Sequence, residues 1–142
     1  MIFEPLGRAG TSLFNLAPWF FLAHGFATPL PPAVKAAYMA PWRDRRRRRP
    51  AAIAPHELIH ARAFLQEVEA SLSRLADRPV LLVWGMRDFA FQEEQRMRFE
   101  RHFPNHRTVL YPDASHFVQE DAGEAIAAEI RRWLAEARAA SR

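Results

Sequence analysis

The chain has 142 residues, the size of one ordinary domain, and its 49% hydrophobic and 25% charged residues exclude a disordered chain and fit a folded soluble one. Twenty Lys and Arg against sixteen Asp and Glu leave a net charge of +4, and every basic residue except Lys35 is arginine. The absence of cysteine excludes disulfides, a thiol nucleophile and Cys-ligated metal or iron–sulfur sites. The longest apolar stretch, Leu13 to Phe26, is interrupted by Asn15, Pro18 and His24 and falls short of the ~20 residues a bilayer-spanning helix needs. Glu4 and Arg8 precede a patchy apolar run without a clean small-residue cleavage site, so no signal peptide is expected. A soluble, cytoplasmic protein without a membrane partner is the expectation.

The chain divides near Pro50 to Pro55. The part before it is rich in aromatics and proline and has no strong strand signal. Pro31-Pro32-Ala33-Val34-Lys35-Ala36-Ala37-Tyr38 predicts a short helix with Pro in its first turn, where the missing N–H costs nothing, and Pro41 ends it. Arg43 and Arg45 to Arg49 then make the densest charge run. Such a run can bind phosphates and release counterions. It lacks interleaved aromatics and any helix-turn-helix or RNA-module pattern, so a solvated linker is favoured over a nucleic-acid partner.

From His56 to Ala76, the residues Leu58, Ala61, Leu65, Val68, Leu72 and Leu75 recur at alternating spacings of three and four. This is one apolar face of an amphipathic helix, packed on a core; a coiled-coil seam would show the same face over only about three heptads. His56-Glu57-Leu58-Ile59-His60 within it matches H-E-x-x-H, in which two His at i and i+4 hold zinc beside a Glu base. A third ligand is needed, and Ala63 and Gln66 stand where the extended motif has Gly and His, so partly exposed helix residues are expected and no metal.

Pro79 to Gly85 is a continuous aliphatic run, the mark of a strand buried on both faces in a parallel sheet. A helix from Gln92 to His102 follows, broken by Pro104-Asn105, and Arg107 to Tyr111 is a second strand. The last helix is expected to start near Asp121 as N-cap and to bury Ile126, Ile130, Trp133 and Leu134. The order is a βαβα unit, and two parallel strands alone do not make a stable sheet.

In open α/β sheets, functional groups sit in the loops after the carboxyl ends of strands. Asp88 follows the first strand and His116 the second. The two can meet, the carboxylate accepting the imidazole N–H and fixing its tautomer, which is the orienting half of a nucleophile–His–acid triad. Asp88 alone would read as a turn or cap residue; the pair at matching strand ends favours the triad.

Arg78 to Leu134 resembles the C-terminal end of the α/β-hydrolases, where a strand ending in W-G-x-x-D supplies the triad acid and a later D-A-G-H-F-like loop supplies the base. Here the two segments are Val83-Trp84-Gly85-Met86-Arg87-Asp88-Phe89-Ala90-Phe91 and Asp113-Ala114-Ser115-His116-Phe117-Val118-Gln119-Glu120-Asp121. Their wording is most similar to the haloalkane-dehalogenase-like branch, which includes the related β-lactone decarboxylases of olefin biosynthesis. Pro31-Pro32 through Tyr38-Met39-Ala40-Pro41-Trp42 is similar to that branch's cap-domain turn L-P-P-x-V-x-x-A-Y-x-A-P-Y. The resemblance covers most of residues 28–136. Ser115 stands where Gly is usual, adding a hydroxyl and backbone stiffness beside the base.

The resemblance implies that Asp88 and His116 are catalytic, as acid and base, and that no cofactor is used. It also implies that Phe14, Trp19, Phe20, Phe21 and Trp42, with Phe89, line a hydrophobic small-molecule pocket; each of the cap aromatics reads equally as core packing. A complete enzyme of this kind is roughly twice this length and has an oxyanion loop and a G-x-[Ser/Asp]-x-G elbow ahead of the cap. None of Ser12, Ser71, Ser73, Ser115 and Ser141, nor any Asp, sits in such an elbow. Phe20 to Phe26 mimics the strand-plus-His-Gly oxyanion loop, but too little chain separates it from the Tyr38 motif, so a cap-helix end with His24 near its C-terminus is the reading.

The expected fold class is α/β, a partial α/β-hydrolase fold in which a helical cap segment precedes a βαβα unit of a parallel sheet. Residues 1–54 are the helical cap and Arg-rich linker; residues 55–142 are the C-terminal part of the core. Such a chain brings acid and base but no nucleophile, and is expected to be inactive alone. Its expected partners are a hydrophobic small-molecule substrate and either the missing N-terminal half or a second copy. The alternatives are an inactive truncated paralogue acting as a binding protein, and a basic nucleic-acid-binding module.

Overall fold

Two short helices open the chain, α1 (Phe3–Phe14) and α2 (Leu16–His24), in a computed structural model that describes residues 3–140. Asn15 alone separates them. Its φ of 58° lies in the left-handed region that Asn tolerates, its N–H donates to the Thr11 carbonyl at 3.0 Å, and its Nδ2 donates to the Trp42 carbonyl at 3.2 Å. Helix α3 (Pro32–Met39) has Pro in its first turn, as the residues require, and gives way to a 3₁₀ turn, Ala40–Trp42, around Pro41. A second 3₁₀ turn, Arg45–Arg48, is N-capped by Asp44, whose Oδ1 accepts from the Arg46 N–H at 2.9 Å. Helix α4 (Arg49–His60) then packs against α1 and α2 and buries Ala52.

The chain separates into two compact units: one comprises the chain up to His24 with Pro29–Val68, the other Gly25–Thr28 with the chain from Glu69 onward. Contacts therefore divide the chain at Val68/Glu69, whereas the change of periodicity put the division after residue 54. That position falls inside α4, whose hydrogen-bond ladder runs through it.

The single amphipathic helix expected over His56 to Ala76 is three pieces: the second half of α4, α5 (Arg62–Ser71) and a 3₁₀ turn, Leu72–Leu75. The ladder breaks at Ala61, where ψ is 14°. The apolar face is present but is not core. Leu58, Leu65, Val68 and Leu75 are 65%, 42%, 45% and 50% exposed. A spacing of three and four records a face that wants cover, not what covers it.

The second unit carries the sheet. Strands β1 (Val80–Gly85) and β2 (His106–Tyr111) pair in parallel, from Val80 opposite His106 to Gly85 opposite Tyr111, and α6 (Glu93–His102) forms the crossover. A capping box between Gln92 and Gln95 starts α6. The side chain of Thr108 on β2 donates to Glu100 on α6 at 2.7 Å. Expected burial of β1 on both faces is not met: Val80 to Trp84 are half-buried and only Gly85 is buried, because the described sheet has two strands.

The C-terminal helix also differs from expectation. A single turn, α7 (Val118–Asp121), precedes α8 (Gly123–Ala140), so Asp121 ends one helix instead of capping the next. Ile126 and Trp133 are half-buried, Ile130 and Leu134 are each 40% exposed, and the buried residue of this face is Glu129, ion-paired with Arg107 and Arg132. None of the described helices is long and apolar enough to cross a membrane.

Candidate active site

The site in the second unit is built by strand register. Gly85 and Tyr111 are paired at the carboxyl ends of β1 and β2, so the loops that follow leave the sheet side by side. They are bonded to each other: the Met86 N–H donates to the Tyr111 carbonyl at 3.0 Å and the Arg87 N–H to the Ala114 carbonyl at 2.9 Å. The approach is close enough to require glycine. A Cβ at position 85 would lie 2.4 Å from the Ser115 carbonyl oxygen and 2.8 Å from that of Ala114.

Asp88 and His116 meet across this junction. The imidazole Nδ1 lies 3.0 Å from Asp88 Oδ1 and 3.1 Å from Oδ2, with side-chain exposures of only 10% for Asp88 and 17% for His116. Asp88 is itself held in place. Its Oδ1 accepts from the N–H groups of Ala90 at 2.8 Å and Phe91 at 3.1 Å, a local turn that aims the carboxylate at the ring. Nδ1–H donation to Asp88 makes Nε2 the basic ring nitrogen. Three aromatic rings surround the imidazole: Phe91 stacked at 5.6 Å, Phe89 tilted at 5.5 Å and Phe117 edge-on at 5.1 Å. These rings give the imidazole an apolar surround, although Phe89 and Phe91 are themselves 39% and 53% exposed.

A residue expected to be a helix cap has a different job here. The Asp121 carboxylate accepts from the Ser115 N–H at 2.8 Å and from the Ala27 N–H at 3.0 and 3.1 Å, and so ties the loop before His116 to the segment Gly25–Thr28. The Phe117 N–H donates to the Gly25 carbonyl at 2.9 Å, and Phe26 stacks on Phe117 at 4.6 Å. Nothing in local periodicity points to this clamp, because Ala27 lies 94 residues before Asp121. The Ser115 hydroxyl, which replaces the usual Gly, is buried and donates to the Arg87 carbonyl at 3.3 Å. It is absorbed by the loop.

The remaining aromatics named from sequence lie elsewhere. Trp19, Phe20 and Trp42 belong to the first unit. Trp19 is 46% exposed with Lys35 Nζ 5.2 Å from its ring, Phe20 stacks on His24 at 4.7 Å, and Trp42 is half-buried. Phe14 is exposed, and Phe21 packs edge-on to Phe20. His24 ends α2 and its Nδ1 bonds the Phe20 carbonyl at 3.0 Å, the geometry of a helix C-terminus. His56 and His60 stack on each other at 3.9 Å in the C-terminal half of α4, which His60 ends, not at a helix start, and no group of three metal-ligating side chains is found among the described residues. Ser12, Ser71, Ser73 and Ser115 are described and Ser141 lies outside the described residues. No two of the five glycines are four residues apart, so this sequence contains no G-x-x-x-G elbow.

A family model for the alpha/beta hydrolase fold matches residues 18–123. Haloalkane dehalogenase 2 of Mycobacterium tuberculosis (strain H37Rv) is 39% identical over 100 residues, 69% of this chain and 35% of the relative. Cis-3-alkyl-4-alkyloxetan-2-one decarboxylase of Xanthomonas campestris pv. campestris is 32% identical over 117 residues, 78% of this chain and 38% of the relative. The crystal structure of haloalkane dehalogenase DbeA from Bradyrhizobium elkani USDA94 superposes with a TM-score of 0.83 at 25% identity, covering 94% of this chain and 48% of that one. This chain thus spans little more than a third of the length of those two relatives and about half of that structure.

Proposed function

The chain belongs to the alpha/beta hydrolase fold family, related within it to the haloalkane dehalogenases, and we propose that it supplies the acid and base of a hydrolytic triad whose nucleophile lies outside this sequence. The observation that carries this reading is the Asp88–His116 hydrogen bond at the ends of two adjacent parallel strands, with aromatic rings around the imidazole. In the proposed reaction an ester links the substrate to that nucleophile. His116 Nε2 removes a proton from water as the water oxygen attacks the acyl carbon; the acyl–oxygen bond breaks, and the proton passes to the departing alcohol. Asp88 keeps the second imidazole proton on Nδ1 and stabilises the imidazolium as it forms. Phe89, beside the base, is in contact with a hydrophobic substrate. No cofactor enters.

The test fuses the N-terminal segment of the Mycobacterium tuberculosis relative ahead of this chain and measures halide release and aryl-ester hydrolysis. Turnover that requires both Asp88 and His116 is expected, and His116→Ala should leave one burst of halide per site, because the base is needed only to resolve the ester. Turnover by the fusion that survives His116→Ala would overturn the assignment. The unfused chain should stay at background, since loss of a triad nucleophile costs on the order of 10⁶ in rate. Robust activity of the unfused chain, abolished by His116→Ala, would place a nucleophile within it, with Ser115 and Asp113 the first to substitute.

A further inference from the structure

Charge is not spread over this molecule. Between Arg43 and Arg49, six arginines stand against one aspartate, a net +5, while the whole chain carries +4; everything outside these seven residues is net −1. Two of the six are occupied. Arg48 is half-buried, and its guanidinium donates to the carbonyls of Trp42 at 2.7 Å and Leu13 at 2.8 Å, closing the C-terminal end of α1; for this residue the solvated-linker reading fails. Arg47 lies 3.9 Å from Asp44.

Arg45, Arg46 and Arg49 are different. They line an open cavity of about 710 Å³ together with Ser12 and Asp44, and no carboxylate pairs with their guanidinium groups among the described residues. Asp44 is committed to capping the Arg46 N–H and to Arg47. The N-terminus of α4, with its positive dipole end, opens at the same place.

We infer that this cavity is a binding site for a phosphate monoester, held by Arg45, Arg46 and Arg49 with the Ser12 hydroxyl as an additional donor. The charges favour that class. Three guanidinium groups and one carboxylate leave the cavity at net +2, which a phosphate monoester, carrying about −1.5 to −2 near pH 7, neutralises. The residue type favours it as well, since the planar guanidinium fork matches phosphate oxygens in pairs, which an ammonium does not. A volume of this size admits a small molecule beyond the phosphate itself. The shared chemistry can come from a free phosphorylated compound or from a lipid headgroup.

The test is calorimetric titration of the full chain with inorganic phosphate at low ionic strength, beside flotation with phosphatidylcholine vesicles that contain or lack phosphatidic acid. One-to-one saturable phosphate binding is expected. It should weaken about tenfold or more in Arg45→Gln/Arg46→Gln/Arg49→Gln, as loss of charge-assisted hydrogen bonds implies. A charge-matched control, Arg74→Gln/Arg131→Gln/Arg138→Gln, should stay within about twofold of the parent. Arginine-dependent retention on phosphatidic acid vesicles that free phosphate does not displace would assign the phosphate to a lipid; displacement would assign it to a soluble compound. The inference is overturned if neither phosphate nor the acidic vesicles bind, or if both triple variants lose affinity equally. It is also overturned if single-stranded DNA binds while phosphate does not, which would mark an extended polyanion surface. Circular dichroism melts of both variants should match the parent, since the substituted side chains have no ion-pair partner among the described residues.

Discussion

The proposed role of Asp88 is to orient His116 through a specific proton, and that is open to direct measurement. Asp88→Asn places an amide donor where the ring N–H now donates, so the imidazole should switch its proton to Nε2. The ¹⁵N shifts of the His116 ring should report the exchange of protonated and unprotonated nitrogens, and retention of the parent tautomer would sink the orienting role. In a complete fused enzyme the same substitution should cost about 10⁴ in kcat, the scale of loss when a triad base is held in the wrong tautomer. Gly85→Ala acts on the same geometry from the backbone. Its Cβ would meet the Ser115 carbonyl at 2.4 Å, backbone against backbone, so we expect about 1–3 kcal/mol lost in denaturant melts and weakening of the Asp88–His116 bond. The meeting of Asp88 and His116 was legible in the chain because each is a single residue just past a clear strand. The close approach that demands Gly85, and the surrounding of His116 by Phe89, Phe91 and Phe117, depend on register between segments and carry no local signal.

Elements are joined in the second unit mainly by carboxylates, and these set its response to acid. Glu100 on α6 has its carboxyl held below the usual range first by the Thr108 hydroxyl and then by Arg96. Glu69 is lowered by Arg98 first and His102 second. A carboxylate with a depressed folded pKa contributes stability that is present above its unfolded value, about 4.3 for Glu, and is lost as pH falls through the folded value. Urea midpoints should therefore change little through these two groups between neutrality and pH 5 and fall below about pH 4, and Glu100→Gln should flatten that decline. An unchanged slope in the variant would remove Glu100 from the account. Asp121 joins elements through backbone donors. Asp121→Ala strands two partly buried N–H groups, at about 1–3 kcal/mol each, and the amides of Ser115 and Ala27 should exchange faster with solvent. Helix existence was readable wherever Pro, Gly-free apolar spacing or a cap marked it, as in α3 and α6. Continuity was not: the same spacing runs unbroken through Ala61, where the helix stops, because periodicity is blind to a local change in ψ.

At the scale of the whole molecule the decisive quantity is uncovered apolar surface. Among the described residues the buried apolar side chains are Pro18, Ala52, Phe103 and Ala114, and no large side chain is fully enclosed. Composition could not reveal this, since 49% hydrophobic residues fits a chain with a full core and one whose apolar faces are open. Leu58, Ile59 and Phe64 in the first unit, and Phe91, Met97 and Leu110 in the second, are all between 43% and 67% exposed. Faces of this kind associate in water, since patches of more than a few hundred Å² are rarely left open on monomers, and the outer edge of β1 or β2 offers unpaired backbone groups to another chain. We expect sedimentation velocity to show mass growing with concentration, and binding of a hydrophobic dye to fall as it does. Substituting Leu58, Ile59 and Phe64 together by Gln removes apolar area without opening a cavity, so it should shift the population towards monomer and leave the fold intact. A strictly monomeric parent with a sharp two-state melt would show that the exposed faces are covered within one chain, and would count against the need for a second half to complete the sheet.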